Sequence, residues 1–283
     1  MKVLVLGGGQ VATAVVSSAP SGHDLIGKRR TDLDIVDAAA VERCIAVLKP
    51  DWIINAAAYT AVDLAEDQTA QAFAVNDTAV GTLSRAAAKH GSRLLHLSTD
   101  FVFDGDANRA YSVSDRTNPL SVYGSSKVGG ERHVLAGDTG IVLRTAWVYA
   151  SSGKNFVLTM LRLMREKDQV SVVCDQIGTP TWAGSLAAAI WASVESGVPA
   201  GLYHWTDLGV ASWYDFAVAI QEEGLSRGLL QRAVPVLPIA TSDFPTKARR
   251  PAFSVLDTAS TRAALKLSGH HWRHNLRMML NEI

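Results

Sequence analysis

A phenol and an ammonium group lie four residues apart in the segment Tyr123-Gly-Ser-Ser-Lys127. Side chains at this spacing project from the same face of a helix, so the Lys127 ammonium can lie beside the Tyr123 phenol. A neighbouring cation lowers the pKa of a tyrosine from its usual value of about 10. The spacing therefore predicts that Tyr123, with its pKa lowered by Lys127, exchanges a proton with a carbonyl or hydroxyl group near neutral pH.

A second polar cluster, Ser98-Thr99-Asp100, stands at the end of a predicted strand. Doubly wound sheets bind their ligands at the C-terminal ends of the strands. We therefore predict that the Thr99 hydroxyl hydrogen-bonds the same oxygen that Tyr123 protonates. A strand-end Ser-Thr-Asp is also an ordinary turn, so this interpretation depends on the combination with Tyr123 and Lys127.

Small residues follow the first apolar run, in the segment Gly7-Gly-Gly-Gln-Val-Ala12. Read as G-x-G-x-x-A, with Gly7 and Gly9 as its glycines, this segment allows a tight turn and lets the backbone approach a pyrophosphate. It also aims the N-terminus of the following helix at that negative charge. Because the segment separates a predicted strand from a predicted helix, it indicates a dinucleotide-binding site.

Three basic residues, Lys28-Arg29-Arg30, follow the second predicted strand, where the ribose of a dinucleotide would lie. An acidic residue at this position would select a free 2′-hydroxyl and therefore NAD. Guanidinium groups instead form charge-assisted hydrogen bonds with a 2′-phosphate. The cluster favours NADPH as the cofactor. NADH is the alternative, with the cluster then a solvated basic turn.

Short apolar runs alternate with alanine-rich helical stretches, a rhythm typical of βαβ units around a parallel sheet. We predict an α/β fold: a Rossmann-type doubly wound parallel sheet with a smaller, mainly helical C-terminal substrate lobe. The dinucleotide-binding domain is expected to cover 1–148, with segments near 170–200 returning to it, and the lobe most of 149–283. The predicted strands are Lys2 to Leu6, Asp24 to Gly27, Trp52 to Ile54, Leu94 to Ser98, Ile141 to Arg144, Val170 to Val173 and Leu202 to Trp205. The main predicted helices are Gln68 to His90, Asn155 to Lys167, Ala183 to Ser196 and Ser212 to about Gly224, the last with a capping box between Ser212 and Asp215.

The charges of the chain cancel, since 27 Lys and Arg residues face 27 Asp and Glu residues. Nucleic-acid-binding proteins usually carry a basic excess, so we expect no nucleic-acid partner. The apolar runs have the length of strands rather than the roughly 20 residues of a membrane helix, and no signal peptide is apparent. We therefore expect a cytoplasmic protein with no membrane contact.

Several longer motifs accompany these clusters along the whole chain. With them, the sequence resembles the extended short-chain dehydrogenase/reductase family and, within it, the dTDP-4-dehydrorhamnose reductases. The motifs are Asn55-Ala-Ala-Ala-Tyr-Thr-Ala-Val-Asp63, Ser98-Thr-Asp-Phe-Val-Phe-Asp104, Val122-Tyr-Gly-Ser-Ser-Lys127, Arg144-Thr-Ala-Trp-Val-Tyr149, Asp175-Gln-Ile-Gly-Thr-Pro-Thr181, Gly201-Leu-Tyr-His204 and Ala248-Arg-Arg-Pro251.

The resemblance implies reduction of the 4-keto group of dTDP-4-dehydro-6-deoxy-L-mannose by hydride from NADPH, giving dTDP-L-rhamnose. It implies that Tyr123 donates the proton, that Lys127 holds the nicotinamide ribose, and that Thr99 orients the ketone. The cofactor would contact Gly7, Gly9, Gln10, Val11, Arg29, Arg30, Asp34, Ile35, Ala57, Ala58, Tyr59, Thr60, Tyr123 and Lys127. The small-molecule substrate, a sugar nucleotide, would contact Thr99, Asp100, Val62, Trp147 and, at its diphosphate, Arg249 or Arg250. For Trp147 the alternative is a core aromatic.

The chain also departs from the family pattern. Some relatives dimerise through Mg²⁺ held by three glutamates, and the corresponding positions here are Ala14, Gly184 and Glu282. Only Glu282 could ligate a metal, so we expect no metal site and no Mg²⁺, and either a monomer or a homodimer without a bridging metal. The glycine loop is also one residue shorter than usual.

Two other functions remain open at this stage. The chain could act on another deoxysugar nucleotide as a 4-ketoreductase. It could also be a non-catalytic NADP-binding protein, since the regulatory subunit of methionine adenosyltransferase resembles the same subfamily. Elsewhere, we expect His96 to be a core histidine with satisfied hydrogen bonds, and Asp63 and Glu66 to be a solvated helix start.

Overall fold

The structure, a computed structural model, describes residues 1–283. The strands are β1 (Lys2–Leu6), β2 (Asp24–Lys28), β3 (Trp52–Asn55), β4 (Arg93–Thr99), β5 (Gly140–Thr145), β6 (Val148–Tyr149), β7 (Val170–Val173), β8 (Ile177–Gly178), β9 (Thr181–Trp182), β10 (Gly201–His204), β11 (Ala211–Ser212) and β12 (Val236–Ile239). The helices are α1 (Gln10–Ser17), α2 (Ala38–Leu48), α3 (Val62–Ala65), α4 (Thr69–Phe73), α5 (Ala79–His90), α6 (Val122–Leu135), α7 (Phe156–Glu166), α8 (Ala183–Ser196), α9 (Trp213–Ser226), α10 (Ala259–Leu265) and α11 (Trp272–Leu280). A π-helical turn covers Ala74–Thr78, and 3₁₀ turns cover Asp100–Val102 and Thr241–Asp243.

Six strands form one parallel sheet in the order β10-β5-β4-β3-β1-β2. From β1 the chain runs first to β2 at one edge and then back through β3 towards the other edge. This reversal creates the crevice in which doubly wound sheets bind ligands. The prediction of a Rossmann-type doubly wound parallel sheet is therefore confirmed.

The sheet is covered by helices on both faces, as its continuous apolar strands require. Successive side chains of β1 point to opposite faces. Val3 and Val5 pack with helices α1 and α8, whereas Leu4 and Leu6 pack with α2 and α5. Both later elements α8 and β10 thus belong to the sheet layer.

A second core lies between α7, α9 and α11, with Tyr149, Phe216 and Leu276 fully buried at its centre. Three two-stranded sheets, β6 with β9, β7 with β12 and β8 with β11, accompany these helices. The division into 1–148 and 149–283 stays a prediction. No helix in the structure has the length and apolar character needed to cross a bilayer.

Most predicted elements are confirmed to within about two residues, and β1, β7 and α8 match without change. The capping box of α9 is present, although that helix runs to Ser226 rather than to Gly224. The predicted single helix Gln68 to His90 instead contains the π turn Ala74–Thr78. Within that turn, the Asn76 amide bonds the backbone N and O of Tyr59 and the Ser126 hydroxyl. Periodicity cannot reveal such a turn, because the turn depends on contacts with distant residues.

A buried ion pair attaches α6 to the sheet. Glu131 on α6 accepts from Arg144 of β5 at 2.8 Å and 2.6 Å, and each side chain is only 3% exposed. The Ser98 hydroxyl of β4 donates to the same carboxylate at 2.5 Å. The helix that carries Tyr123 and Lys127 is therefore held against β4 and β5, two of the strands that end at the crevice.

Replacing Arg144 with methionine tests this attachment. Arg144→Met is expected to lower the free energy of unfolding by about 3–5 kcal/mol, because it leaves the Glu131 carboxylate buried without its cation. Urea unfolding monitored by circular dichroism measures this change. Combining Arg144→Met with Glu131→Leu is expected to lower the free energy of unfolding by less than Arg144→Met alone does, because no unpaired charge then remains buried.

The matched control is Arg162→Met, which removes one partner of an exposed ion pair with Glu166. Exposed pairs contribute at most about 1 kcal/mol, so this variant should unfold nearly as the wild type does. Equal losses in Arg144→Met and Arg162→Met would contradict the role given to the buried pair.

Candidate active site

Two adjoining cavities lie at the C-terminal ends of β1, β3, β4 and β5, and both contain predicted site residues. The glycine-loop cavity, 240 Å³, contains Gly7, Gly9, Arg30, Asp34, Ile35, Ala57, Ala58, Tyr59 and Thr60 from the prediction. The reaction cavity, 480 Å³, contains Gly9, Gln10, Val11, Ala58, Thr60, Val62, Thr99, Asp100, Tyr123, Lys127 and Trp147. The two cavities share Gly9, Ala56, Ala58 and Thr60 and are therefore continuous.

The glycine loop has the geometry of a phosphate-binding turn. Gly7 has a φ of +129°, and a Cβ atom there would lie 3.0 Å from the Ala56 backbone. Only glycine is compatible with this conformation and this close approach. A Cβ atom at Gly9, which directly precedes α1, would meet nothing within 4 Å. The open N-terminus of α1 can accept an anion.

The basic cluster after β2 lies beside this loop. Arg30 lines the glycine-loop cavity, where its Nε lies 3.2 Å from Asp34 Oδ2. Arg29 lines neither cavity, but its side chain passes over Gly8, with Cγ 3.4 Å from the position of a Gly8 Cβ. Both arginines are exposed.

The phenol and the amine predicted to do proton chemistry line the same cavity. The pKa of Tyr123, however, is raised to about 12, mainly by burial, while a hydrogen bond with Thr99 lowers it and the Asp100 charge raises it further. The expected lowering by Lys127 is therefore wrong. The Lys127 amine instead donates to Leu97 O at 2.6 Å and lies 3.1 Å from His96 Nε2.

Two buried oxygen atoms in the reaction cavity have no hydrogen-bond partner, Asp100 Oδ2 and Thr145 Oγ1. Asp100 Oδ1 accepts from Thr99 Oγ1 at 3.0 Å. Burial raises the pKa of Asp100 to about 6, while the nearby Ser254 and Thr99 hydroxyls act to lower it. Buried polar atoms are normally paired, so Asp100 and Thr145 have hydrogen-bonding capacity left for a ligand.

Trp147 lines the reaction cavity, as one of the two interpretations requires. Its ring stacks on Trp213, with centroids 3.6 Å apart and planes 6° apart. Its φ of +46° lies in the left-handed region, which is uncommon for residues other than glycine. A Cβ atom on Gly178 would lie 2.6 Å from the Trp147 ring, so the absence of a side chain there makes room for it.

The two arginines proposed for the diphosphate differ in position. Arg249 is exposed and lines none of the cavities described here. Arg250 lines a third cavity of 360 Å³, the lobe cavity, which shares Trp213 with the reaction cavity. Its guanidinium group bonds Asp63 at 3.0 Å and 2.7 Å.

Asp63 lies in the first turn of α3 with its side chain 46% exposed, as a solvated helix start requires, but both Asp63 and Glu66 also bond groups from other elements. Asp63 also accepts from Ala248 N at 3.0 Å, and the hydrogen bond from Arg250 lowers its pKa. Glu66 accepts from Val122 N, the first residue of α6, at 2.9 Å. Both carboxylates therefore connect α3 to elements that carry site residues.

Several site residues were missed from the sequence. His96 is a buried core histidine as expected, but it also contacts Lys127. Thr145 and Trp213 line the reaction cavity, and Asn76 positions Tyr59. A strand-end position could have indicated Thr145, whereas the role of Asn76 depends on the π turn and had no local signal.

The three positions that correspond to the Mg²⁺-binding glutamates of some relatives lie close together in the structure. Ala14, Gly184 and Glu282 line one surface cavity, and only Glu282 contributes a carboxylate. The structure holds no group of three or more His, Cys, Asp or Glu side chains placed to bind a metal.

Asp100→Asn is expected to stabilise the protein at high pH. The folded state keeps the Asp100 proton to a higher pH than the unfolded chain, so wild-type stability falls as pH rises from about 4 to about 6. The asparagine amide of the variant is uncharged, so the variant does not lose stability in this pH range. The variant should gain about 2–4 °C in Tm at pH 8 and lose this advantage towards pH 4, measured by calorimetry.

Asp104→Asn is the control for this measurement. Hydrogen bonds from Asp106 N, Tyr111 and Asn118 hold the pKa of Asp104 below its usual value. Removing the Asp104 carboxylate should therefore lower Tm at pH 8. Tm changes of the same sign in both variants would contradict the raised pKa of Asp100 in the folded protein.

The family model described as "RmlD substrate binding domain" matches residues 1–283. A dTDP-4-dehydrorhamnose reductase of Aggregatibacter actinomycetemcomitans is 39% identical over 98% of this chain and 97% of its own length. The structure of a dTDP-4-dehydrorhamnose reductase from Clostridium acetobutylicum superimposes with a TM-score of 0.94 at 35% identity, covering 100% of this chain and 99% of the other. The enzyme of that name from Bacillus anthracis, solved in complex with NADP, gives a TM-score of 0.94 at 31% identity with the same coverage. The resemblance seen in the motifs is confirmed: this chain belongs to the dTDP-4-dehydrorhamnose reductase family.

Proposed function

We propose that this protein is an NADPH-dependent oxidoreductase that reduces the 4-keto group of dTDP-4-dehydro-6-deoxy-L-mannose to give dTDP-L-rhamnose. The observation that carries the proposal is that Thr99, Asp100, Tyr123 and Lys127 all line one cavity, which is continuous with a glycine-loop cavity. A proton donor therefore adjoins a site built for a dinucleotide. This arrangement favours catalysis over the alternative of a non-catalytic regulatory subunit.

The residues around the glycine loop fit NADPH. The α1 N-terminus and the close approach at Gly7 suit a pyrophosphate, while Arg29 and Arg30 supply cations for a 2′-phosphate at the cavity mouth. When bound, NADPH supplies the hydride. We infer that Lys127, which lines the reaction cavity, holds the nicotinamide ribose.

The raised pKa of Tyr123 suits the reductive direction. A phenol with a pKa of about 12 keeps its proton at neutral pH, so it is ready to donate as soon as negative charge develops on the substrate oxygen. Thr99, whose hydroxyl acts to lower the pKa of this phenol and which lines the same cavity, can orient the same oxygen. The protein therefore does not need Lys127 to ionise Tyr123 before the reaction.

The sugar nucleotide is proposed to extend from the reaction cavity into the lobe cavity. The free oxygens of Asp100 and Thr145 can bond sugar hydroxyls, and the stacked Trp147 and Trp213 form an apolar wall between the cavities. Arg250, held by Asp63, is the proposed contact of the diphosphate. Val62 lines the same cavity as Asp100.

We propose a cytoplasmic location and either a monomer or a homodimer without a bridging Mg²⁺. The neutral overall charge argues against nucleic acid as a partner.

Tyr123→Phe tests the proton donor. The variant is expected to lose about 10²–10⁴-fold in kcat, because proton donation by a positioned side chain contributes about this factor. NADPH oxidation at 340 nm, with the keto sugar nucleotide generated in the cuvette, measures it. Tyr203→Phe, whose hydroxyl donates to Pro199 O outside the cavities, is the control. If wild-type protein binds NADPH but turns over no sugar nucleotide, the regulatory alternative replaces the proposal.

The arginines after β2 are expected to set the cofactor preference. Hydrogen bonds to charged groups contribute about 1.5–3 kcal/mol, so Arg29→Ala combined with Arg30→Ala should reduce the ratio of kcat/KM for NADPH over NADH at least about tenfold. Arg43→Ala, which removes an exposed arginine on α2, should leave the ratio unchanged. A wild-type preference for NADH would refute the role of the cluster.

A further inference from the structure

Three buried side chains from three different elements form a chain behind the reaction cavity. Asn55 ends β3 and His96 lies in the middle of β4, and both are 0% exposed. Asn55 Nδ2 lies 3.0 Å from His96 Nδ1, and His96 Nε2 lies 3.1 Å from Lys127 Nζ on α6. The chain therefore ends on one of the proposed catalytic side chains.

The orientation of the Asn55 amide is determined by its other contact. Asn55 Oδ1 accepts from Ala57 N at 3.2 Å. If the amide were rotated by half a turn, its NH₂ group would face the Ala57 N–H, and a hydrogen bond would be lost in a buried site. Asn55 Nδ2 is therefore the donor to His96 Nδ1.

This donor determines the tautomer of His96. Burial, followed by the charge of Lys127, holds the pKa of His96 well below its usual value, so the ring is neutral and carries one proton. Because Nδ1 accepts from Asn55, that proton lies on Nε2 and faces Lys127 Nζ. An ammonium group has three donors and no acceptor, whereas an amine can accept the Nε2–H. The amine can still donate to Leu97 O.

We propose that Asn55 and His96 are positioning residues for Lys127: Asn55 selects the Nε2–H tautomer of His96, which donates to the Lys127 amine and disfavours the ammonium form. Gly130 of α6 allows this approach, since a Cβ atom there would lie 3.3 Å from His96 Nε2 and 2.2 Å from Asn76 O. The catalytic consequence rests on the function proposed above, but the hydrogen-bond chain itself does not.

Other charged groups around α6 act on Lys127 less directly. Burial lowers the pKa of Lys127 to about 8, and the charge of Glu131 opposes this. Several charged and titratable groups face α6. From the sheet these are His96 of β4, Asp100 just after β4, and Arg144 of β5, which neutralises Glu131. Asp77 of the π turn is bonded to His133, Glu66 beyond α3 is bonded to Val122 N, and Tyr123 lies on α6 itself. Of these, only His96 places a hydrogen-bonding atom on Lys127 Nζ.

The hydrogen-bond chain from Asn55 through His96 gives Lys127 a defined part in each turnover. When the Tyr123 O–H bond breaks and the proton moves to the substrate oxygen, a phenolate is left. Lys127 lines the same cavity, and its ammonium form can release a proton to solvent there that restores the phenol, leaving an amine that accepts from His96 Nε2–H. A proton from water restores the ammonium. Stabilising the amine makes Lys127 a better acid for this return step.

The test is a titration of the full chain, free of cofactor and substrate, with ¹⁵N-labelled lysine and histidine. In the wild type, the histidine ¹⁵N shifts should show His96 as the Nε2–H tautomer. The Lys127 Nζ signal, assigned by its loss in Lys127→Arg, should titrate below the other lysines. A His96 Nδ1–H tautomer, or an imidazolium at neutral pH, would overturn the proposal even if no variant folds.

Asn55→Asp reverses the direction of the hydrogen bond between residue 55 and His96, because a carboxylate accepts from His96 Nδ1–H. His96 should then change tautomer, and the amine fraction of Lys127 at pH 8 should fall about tenfold or more. Asn76→Asp adds the same charge near α6 without touching His96 and should leave the tautomer unchanged. Equal effects on Lys127 in both variants with no change of tautomer would also overturn the proposal. Turnover of wild-type protein is assayed separately, so failure of the proposed reaction would be recognised independently.

Discussion

The position of helix α6 is the constraint on which the rest of the site depends, and the buried pair of Glu131 and Arg144 sets it. An uncompensated charge in this interior would cost several kcal/mol, so displacement of α6 relative to β5 is strongly opposed. Ser98, one residue before Thr99, bonds the same carboxylate. The ion pair therefore holds Tyr123 and Thr99, which come from different elements, in fixed relative positions.

Helix α6 also packs closely against the π turn Ala74–Thr78. A Cβ atom on Gly129 would lie 2.5 Å from the Asp77 carboxylate, so the two backbones can approach only because the helix has glycine there. At this contact Asn76 reaches both Ser126 and the backbone of Tyr59. A single helix thus positions Tyr123, the proposed proton donor, in one cavity and the Tyr59 loop at the other.

Local patterns predicted the fold well because strand and helix periods are properties of neighbouring residues. The Y-x-x-x-K spacing and the strand-end Thr99 correctly placed both groups at one cavity. The expected pKa of Tyr123 was wrong, because burial and the contacts of Lys127 with β4 are set by the tertiary structure. For the same reason the ion pair of Asp63 was not predicted, because its partner Arg250 lies 187 residues further along the chain.

Burial also explains how a chain with no net charge can bind two anionic ligands. Inside the reaction cavity it favours the neutral forms of all three titratable groups: it raises the pKa values of Asp100 and Tyr123 and lowers that of Lys127. Guanidinium groups remain charged at any physiological pH, and those of Arg30 and Arg250 lie in separate cavities beside it. In the proposed function, these two arginines bind the phosphates at the periphery of the site. The proposed proton transfer takes place between them, where few fixed charges compete with the charge that develops on the substrate oxygen.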